Sequence, residues 1–206
     1  ASTVGGALNA TATTGNMTDS GALAVTGTSS FTTSANNADI TLNNTNVFTG
    51  AVSLNTTGSS GHATIDNGTT AFIVAQSSVG GNLTLTSGHA SGITDSGTVT
   101  VAGSLTATTD AATGVINLGS LAVTGTVGVT TDNGGNATLV NANGLILTTS
   151  DVGDLTASAT AGDISDSGEL TVAGDSVFTT LTTSRSIILD EAHAFTGGVT
   201  YKSQTG

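Results

Sequence analysis

TDSGALAVTG (Thr18–Gly27), TDSGTVTVAG (Thr94–Gly103) and SDSGELTVAG (Ser165–Gly174) are nearly one sentence written three times in 206 residues. A catalytic loop has no need of three copies, whereas an architecture built from stacked equivalent parts does. A longer period surrounds the motif. VGG at Val4 returns as VGG at Val79 and VGD at Val152, two nearly equal intervals. Sliding the chain until Asp19 falls on Asp166 lays Asp19–Ser59 on Asp166–Gly206 without a gap, with 16 identities in 41 positions. Phe31 then falls on Phe178 and Phe48 on Phe195, in a chain with only five phenylalanines.

A shorter period lies inside the long one. Turn-like glycines occur at Gly27, Gly50, Gly81, Gly103, Gly125, Gly153, Gly174 and Gly197. They are separated by about 21–31 residues, a range that marks solenoids and other repeat arrays. Between the glycines, apolar residues come in pairs two apart: Leu23/Val25, Ile40/Leu42, Val52/Leu54, Leu83/Leu85, Val99/Val101, Leu121/Val123, Leu170/Val172 and Ile187/Leu189. A spacing of two puts both members on one face of a strand. Stretches such as NNTN, DNGG and NANG supply turns between them. The reading is an all-β fold, a parallel β-helix or β-solenoid. It has about nine rungs of about 21–31 residues, with three rungs to each repeat of about 73–75 residues. The units are 4–78, 79–151 and an incomplete 152–206, in a single segment 1–206. The DSG turn is expected at one corner of the stack, with Asp and Ser bonding nearby backbone N–H groups and Gly taking a positive φ.

Composition narrows function. Asp and Glu number 14 against two basic residues, a net charge of −12. So few cations argue against nucleic acid as a partner and against an anionic membrane surface. Disorder does not fit a mean hydropathy of +0.23 carried by patterned residues. There is no cysteine, and no apolar run long enough for a spanning helix.

Units such as GNLTLTSG from Gly81, GSLTATT from Gly103 and GSLAVTG from Gly119 resemble the filamentous-haemagglutinin-like surface proteins of bacteria. That resemblance implies a right-handed β-helix, an extracellular or cell-surface address, and work in adhesion, biofilm or surface-layer assembly. The partners it implies are further copies of the chain, in a fibre or sheath, or a cell-surface or glycan receptor. Because Gly206 falls where the first unit has reached only Ser59, the expectation is a segment of a longer chain or a fibre subunit.

The densest chemical cluster is LDEAH (Leu189–His193), with Asp190, Glu191 and His193 near Arg185. It reads either as an acid/base or metal-lined turn, or as a solvated turn with a surface ion pair, the preferred reading. His62 and His89 lack the companions a zinc site needs. Structural calcium at Asp19, Asp95 and Asp166 is the only cofactor considered, and three rungs between them separate the carboxylates too far to share one ion. No catalytic, cofactor-binding or metal-binding residue is assigned, and the expected role is structural rather than enzymatic. The alternatives are a carbohydrate-active β-helix enzyme and an ice-binding solenoid. The latter needs threonine ladders in strict register, which unequal rungs would interrupt. The sequons at Asn9, Asn16, Asn43, Asn55, Asn67, Asn82 and Asn136 are read as incidental to an Asn- and Thr-rich composition.

Overall fold

The structure, a computed structural model, describes residues 1–204. It is an all-β parallel solenoid of about nine turns, with one short 3₁₀ turn at Asp132–Gly134. Every strand pairing is parallel, from Ser2–Val4 on Leu23–Val25 to Ser176–Thr180 on Val199–Ser203. Residues in register are 18 (Ala137 on Leu155) to 23 (Ile40 on Ala63) positions apart. The rungs are therefore shorter and more uniform than the glycine spacing implied.

Two twelve-stranded sheets form the walls. Each turn of chain crosses both. One crossing is a single long strand, such as Leu8–Ala12 or Ser29–Asn36. The other is two short strands with a bend between them, such as Met17–Thr18 and Leu23–Val25, or Ile40–Leu42 and Val47–Phe48. From the start of the first unit to Val52–Thr57 the long strands lie on one sheet, here face one, and the bent pairs on face two. The three-stranded sheet of Ser2–Val4, Leu23–Val25 and Val47–Phe48 continues face two.

From Ala63–Asp66, late in the first unit, well into the second unit this arrangement is reversed. Leu83–Ser87 and Leu105–Thr109 are long strands on face two, and Ile93–Asp95 with Val99–Val101 is a bent pair on face one. In the third unit Leu155–Ala159 and Ser176–Thr180 return the long strands to face one. A unit thus makes seven crossings, three and a half turns, and not the three expected. Each unit is turned half a revolution from the one before, and only the slide that lays Asp19 on Asp166 restores the same face. The DSG motif does not stay at one corner: Asp19 and Asp166 lie on face two and Asp95 on face one.

The half-turn explains the uneven glycine spacing. Gly27 donates its N–H to Gly6 O on one edge. Gly81, Gly103 and Gly125 form a ladder of N–H to O bonds on the other, and Gly153, Gly174 and Gly197 a third ladder back on the first. The two longest gaps, Gly50 to Gly81 and Gly125 to Gly153, are steps of one and a half turns. They are not long rungs.

The core between the walls is aliphatic. All the alternating pairs point inward, and from Val25 to Val172 they are buried, as in Leu83, Leu85, Val99 and Val101 at 0% exposure. Leu23, Ile187 and Leu189, in the end turns, are half-buried against the same core. Equivalent residues stack, as in Ile65, Leu85, Ala107 and Val129. The matched phenylalanines form two edge-to-face pairs: Phe31 with Phe48 at 5.5 Å and Phe178 with Phe195 at 6.1 Å between ring centres. Such pairs add to area burial through quadrupole geometry.

Candidate functional site at the DSG bends

The DSG bend joins the two short strands of a bent crossing. Its aspartate bonds the rung above and not its own turn. Asp95 accepts the N–H groups of Gly119 (3.1 Å) and Ser120 (2.6 Å), and Asp166 those of Asp190 (3.1 Å) and Glu191 (3.2 Å). Asp19 accepts from Asn44 N (3.3 Å), Asn44 Nδ2 (2.7 Å) and Asn46 Nδ2 (2.9 Å). Each carboxylate is thus a strut to the bend one turn later. Charge-assisted acceptance of backbone N–H is among the stronger hydrogen bonds. The DSG glycine serves close approach, because its φ is not positive. A Cβ on Gly168 would lie 2.7 Å from Thr149 N.

The LDEAH residues resolve into the same device. Asp190 and Glu191 contribute their backbone N–H groups to Asp166, and both are exposed. His193 Nδ1 accepts from Leu170 N–H at 3.1 Å. Its Nε2 lies 3.0 Å from Asp166 Oδ2, in a contact too bent for a hydrogen bond. Nδ1 as acceptor places the neutral ring's proton on Nε2, toward the carboxylate. Asn46, which the slide of Asp19 onto Asp166 lays on His193, fills the same place two units earlier. Its Oδ1 accepts from Leu23 N–H at 2.7 Å and its Nδ2 donates to Asp19. The expected ion pair of Arg185 does not form. Among the described residues the only contact of ion-pair length is that of His193 with Asp166.

His62 is likewise part of a ladder. Before each face-two strand, one side chain accepts the backbone N–H of its successor: Asn16 from Asp39, Asp39 from His62, His62 Nδ1 from Asn82 and Asn82 from Ser104, each at 2.9 Å. On the opposite edge Asn136, Asp154 and Asp175 do the same for Asp154, Asp175 and Gly198. His89 Nδ1 accepts locally from Ser91 N–H. Among the described residues no group of three or more His, Cys, Asp or Glu is placed to hold a metal ion.

Sequence reasoning missed the buried polar residues at the joints inside each unit, where long and bent crossings exchange faces. There, a long strand lies on a bent pair, and one backbone position falls out of register. Asn67 fills the gap, taking Phe48 N–H on Oδ1 (2.7 Å) and giving Nδ2 to Phe48 O (3.1 Å). Asn141 does this for Val123, at 2.8 and 2.9 Å. Across the core, Ser77 Oγ accepts from Leu54 N–H and Ser150 Oγ from Val129 N–H. The recoverable signal is recurrence: Asn67 to Asn141, and Ser77 to Ser150, are each one unit apart, at positions that interrupt apolar runs.

Residues 1–55 and 134–202, more than half of the chain, match the family described as repeats of unknown function (DUF5649). The chain belongs to this family. No curated protein and no solved structure matches it. The two DUF5649 segments end at Asn55 and Lys202, which the slide of Asp19 onto Asp166 superimposes, at equivalent places on face one. In this chain the two DUF5649 segments are β-solenoid turns whose recurring polar residues fasten one turn to the next.

Proposed function

We propose that this chain is a structural module of an extracellular β-solenoid rod, in a surface adhesin, filament or sheath of the filamentous-haemagglutinin-like kind, acting through adhesion or self-assembly without catalysis. The observation that carries this reading is the use made of the polar side chains. Asp19, Asp95, Asp166, His62 and His193 all spend acceptor atoms on a neighbouring rung. A chain that invests its chemistry in rung-to-rung bonds is built to extend.

The test is light scattering and electron microscopy of residues 1–206 across a dilution series, with a glycan panel incubated alongside. End-to-end polymers that shorten on dilution, and an unchanged glycan panel, are expected. A monomer at every concentration that releases sugar products would overturn the reading.

One observation favours the ice-binding alternative. On face two Thr18, Thr41, Thr64, Thr84 and Thr106 stand in one unbroken outward column, and Thr86, Thr108 and Thr130 in the next. Unequal rungs do not interrupt this register, because the turns absorb the differences. Thermal hysteresis removed by Thr84→Val and Thr106→Val together would favour that reading over the rod.

A further inference from the structure

The chain holds three Asn-Gly pairs, Asn67–Gly68, Asn133–Gly134 and Asn143–Gly144, and the fold treats each differently. In such a pair the glycine nitrogen, with no Cβ beside it, can attack the preceding side-chain amide. Asn67 is fully buried, its amide is held by Phe48, and Gly68 N–H is tied to Asp66 Oδ1 at 2.7 Å. Asn143 is exposed, but its glycine is pressed against the next rung: a Cβ on Gly162 would lie 2.5 Å from Gly144 N. Asn133 is exposed, sits at φ 49° inside the Asp132–Gly134 turn, and is followed by an exposed Gly134 that packs on Gly153 of the next rung through its carbonyl and not through its nitrogen, with open space where a Cβ would stand. Its side-chain amide makes no hydrogen bond among the described residues. A non-glycine residue at positive φ is already strained.

We propose that Asn133 is a site of spontaneous modification, converting to aspartate and isoaspartate through a succinimide. Gly134 N loses its proton and bonds to Asn133 Cγ. The Cγ–NH₂ bond breaks, and ammonia leaves with that proton. Water then opens the ring at either carbonyl, so the net change is one water gained and one ammonia lost, with no oxidant or reductant. The product places a new carboxylate in a trough of about 560 Å³ lined by Asp110, Asp132 and Asp151. The trough then carries four acids across three rungs.

The experiment incubates the folded chain in mildly alkaline buffer and follows each Asn-Gly peptide by mass, reading the replacement of NH₂ by OH. A parallel sample in urea reports the same peptides unfolded. Asn133 is expected to convert first. Asn67 should lag by at least about tenfold, because its reaction waits on local opening of the core. In urea the two rates should converge. Asn67 converting as fast as Asn133 in the folded chain would overturn the proposal. A difference that persists unchanged in urea would also overturn it, since local sequence would then set the order. Asn133→Ser should remove the mass gain from that peptide alone.

Discussion

Asn46 and His193, equivalent positions two units apart, perform one task with different chemistry: an amide oxygen at 2.7 Å and an imidazole nitrogen at 3.1 Å each accept the N–H that opens a short strand, at Leu23 and Leu170. Each also reaches the DSG aspartate of the preceding bend. His193→Asn should therefore leave stability within about 1 kcal/mol, while His193→Ala, which strands Leu170 N–H, should cost about 1–3 kcal/mol. Urea unfolding of the two variants decides. Equal, near-zero effects would remove the equivalence.

The joint asparagines should be the most demanding polar positions. Asn141→Ala leaves both Val123 N–H and Val123 O without partners in the core, an expected loss of about 2–5 kcal/mol. The neighbouring Asn143→Ala, on the exposed turn, should stay within about 0.5 kcal/mol. Thermal unfolding that fails to separate these variants would show that water reaches the joint.

The glycine ladders are steric seams. A Cβ on Gly125 would lie 2.5 Å from Gly103 O and 2.7 Å from Gly103 C. Gly125→Ala should push the rungs apart at that edge and cost about 1–3 kcal/mol. Gly5→Ala, where nothing lies within 4 Å, should be neutral or slightly stabilising. The melting temperatures of the pair are the readout.

Adjacent residues on one strand should differ by their facing alone. Leu85 is fully buried between Ile65 and Ala107, so Leu85→Ala should cost about 2–5 kcal/mol. Thr84 points outward, and Thr84→Ala should change stability by no more than about 0.5 kcal/mol. Chemical denaturation of the two variants side by side measures the contrast.

Strand facing was legible in the sequence because a period of two is a local property: Leu83 and Leu85 declare their side without reference to the rest of the chain. The phenylalanine pairs were legible because rare residues align without ambiguity. The half-turn was not. A recurring Gly or DSG reports distance along the chain and carries no record of which edge it occupies. The step from Gly50 to Gly81 therefore reads as a long rung when it is one and a half ordinary ones. The struts were hidden for a related reason. Asp95 stands next to Ser96 and Gly97 in sequence, but its partners are Gly119 and Ser120. A short acidic side chain suits a local turn and an inter-rung bond equally well.

A unit with an odd number of crossings makes the molecule a two-sided tape. The DSG bend that one unit displays on one side, its neighbour displays on the reverse. The DSG bend returns to the same side at every second unit, seven turns or about 34 Å at the spacing of parallel strands. Successive DSG bends are therefore offered to opposite sides of the solenoid in turn.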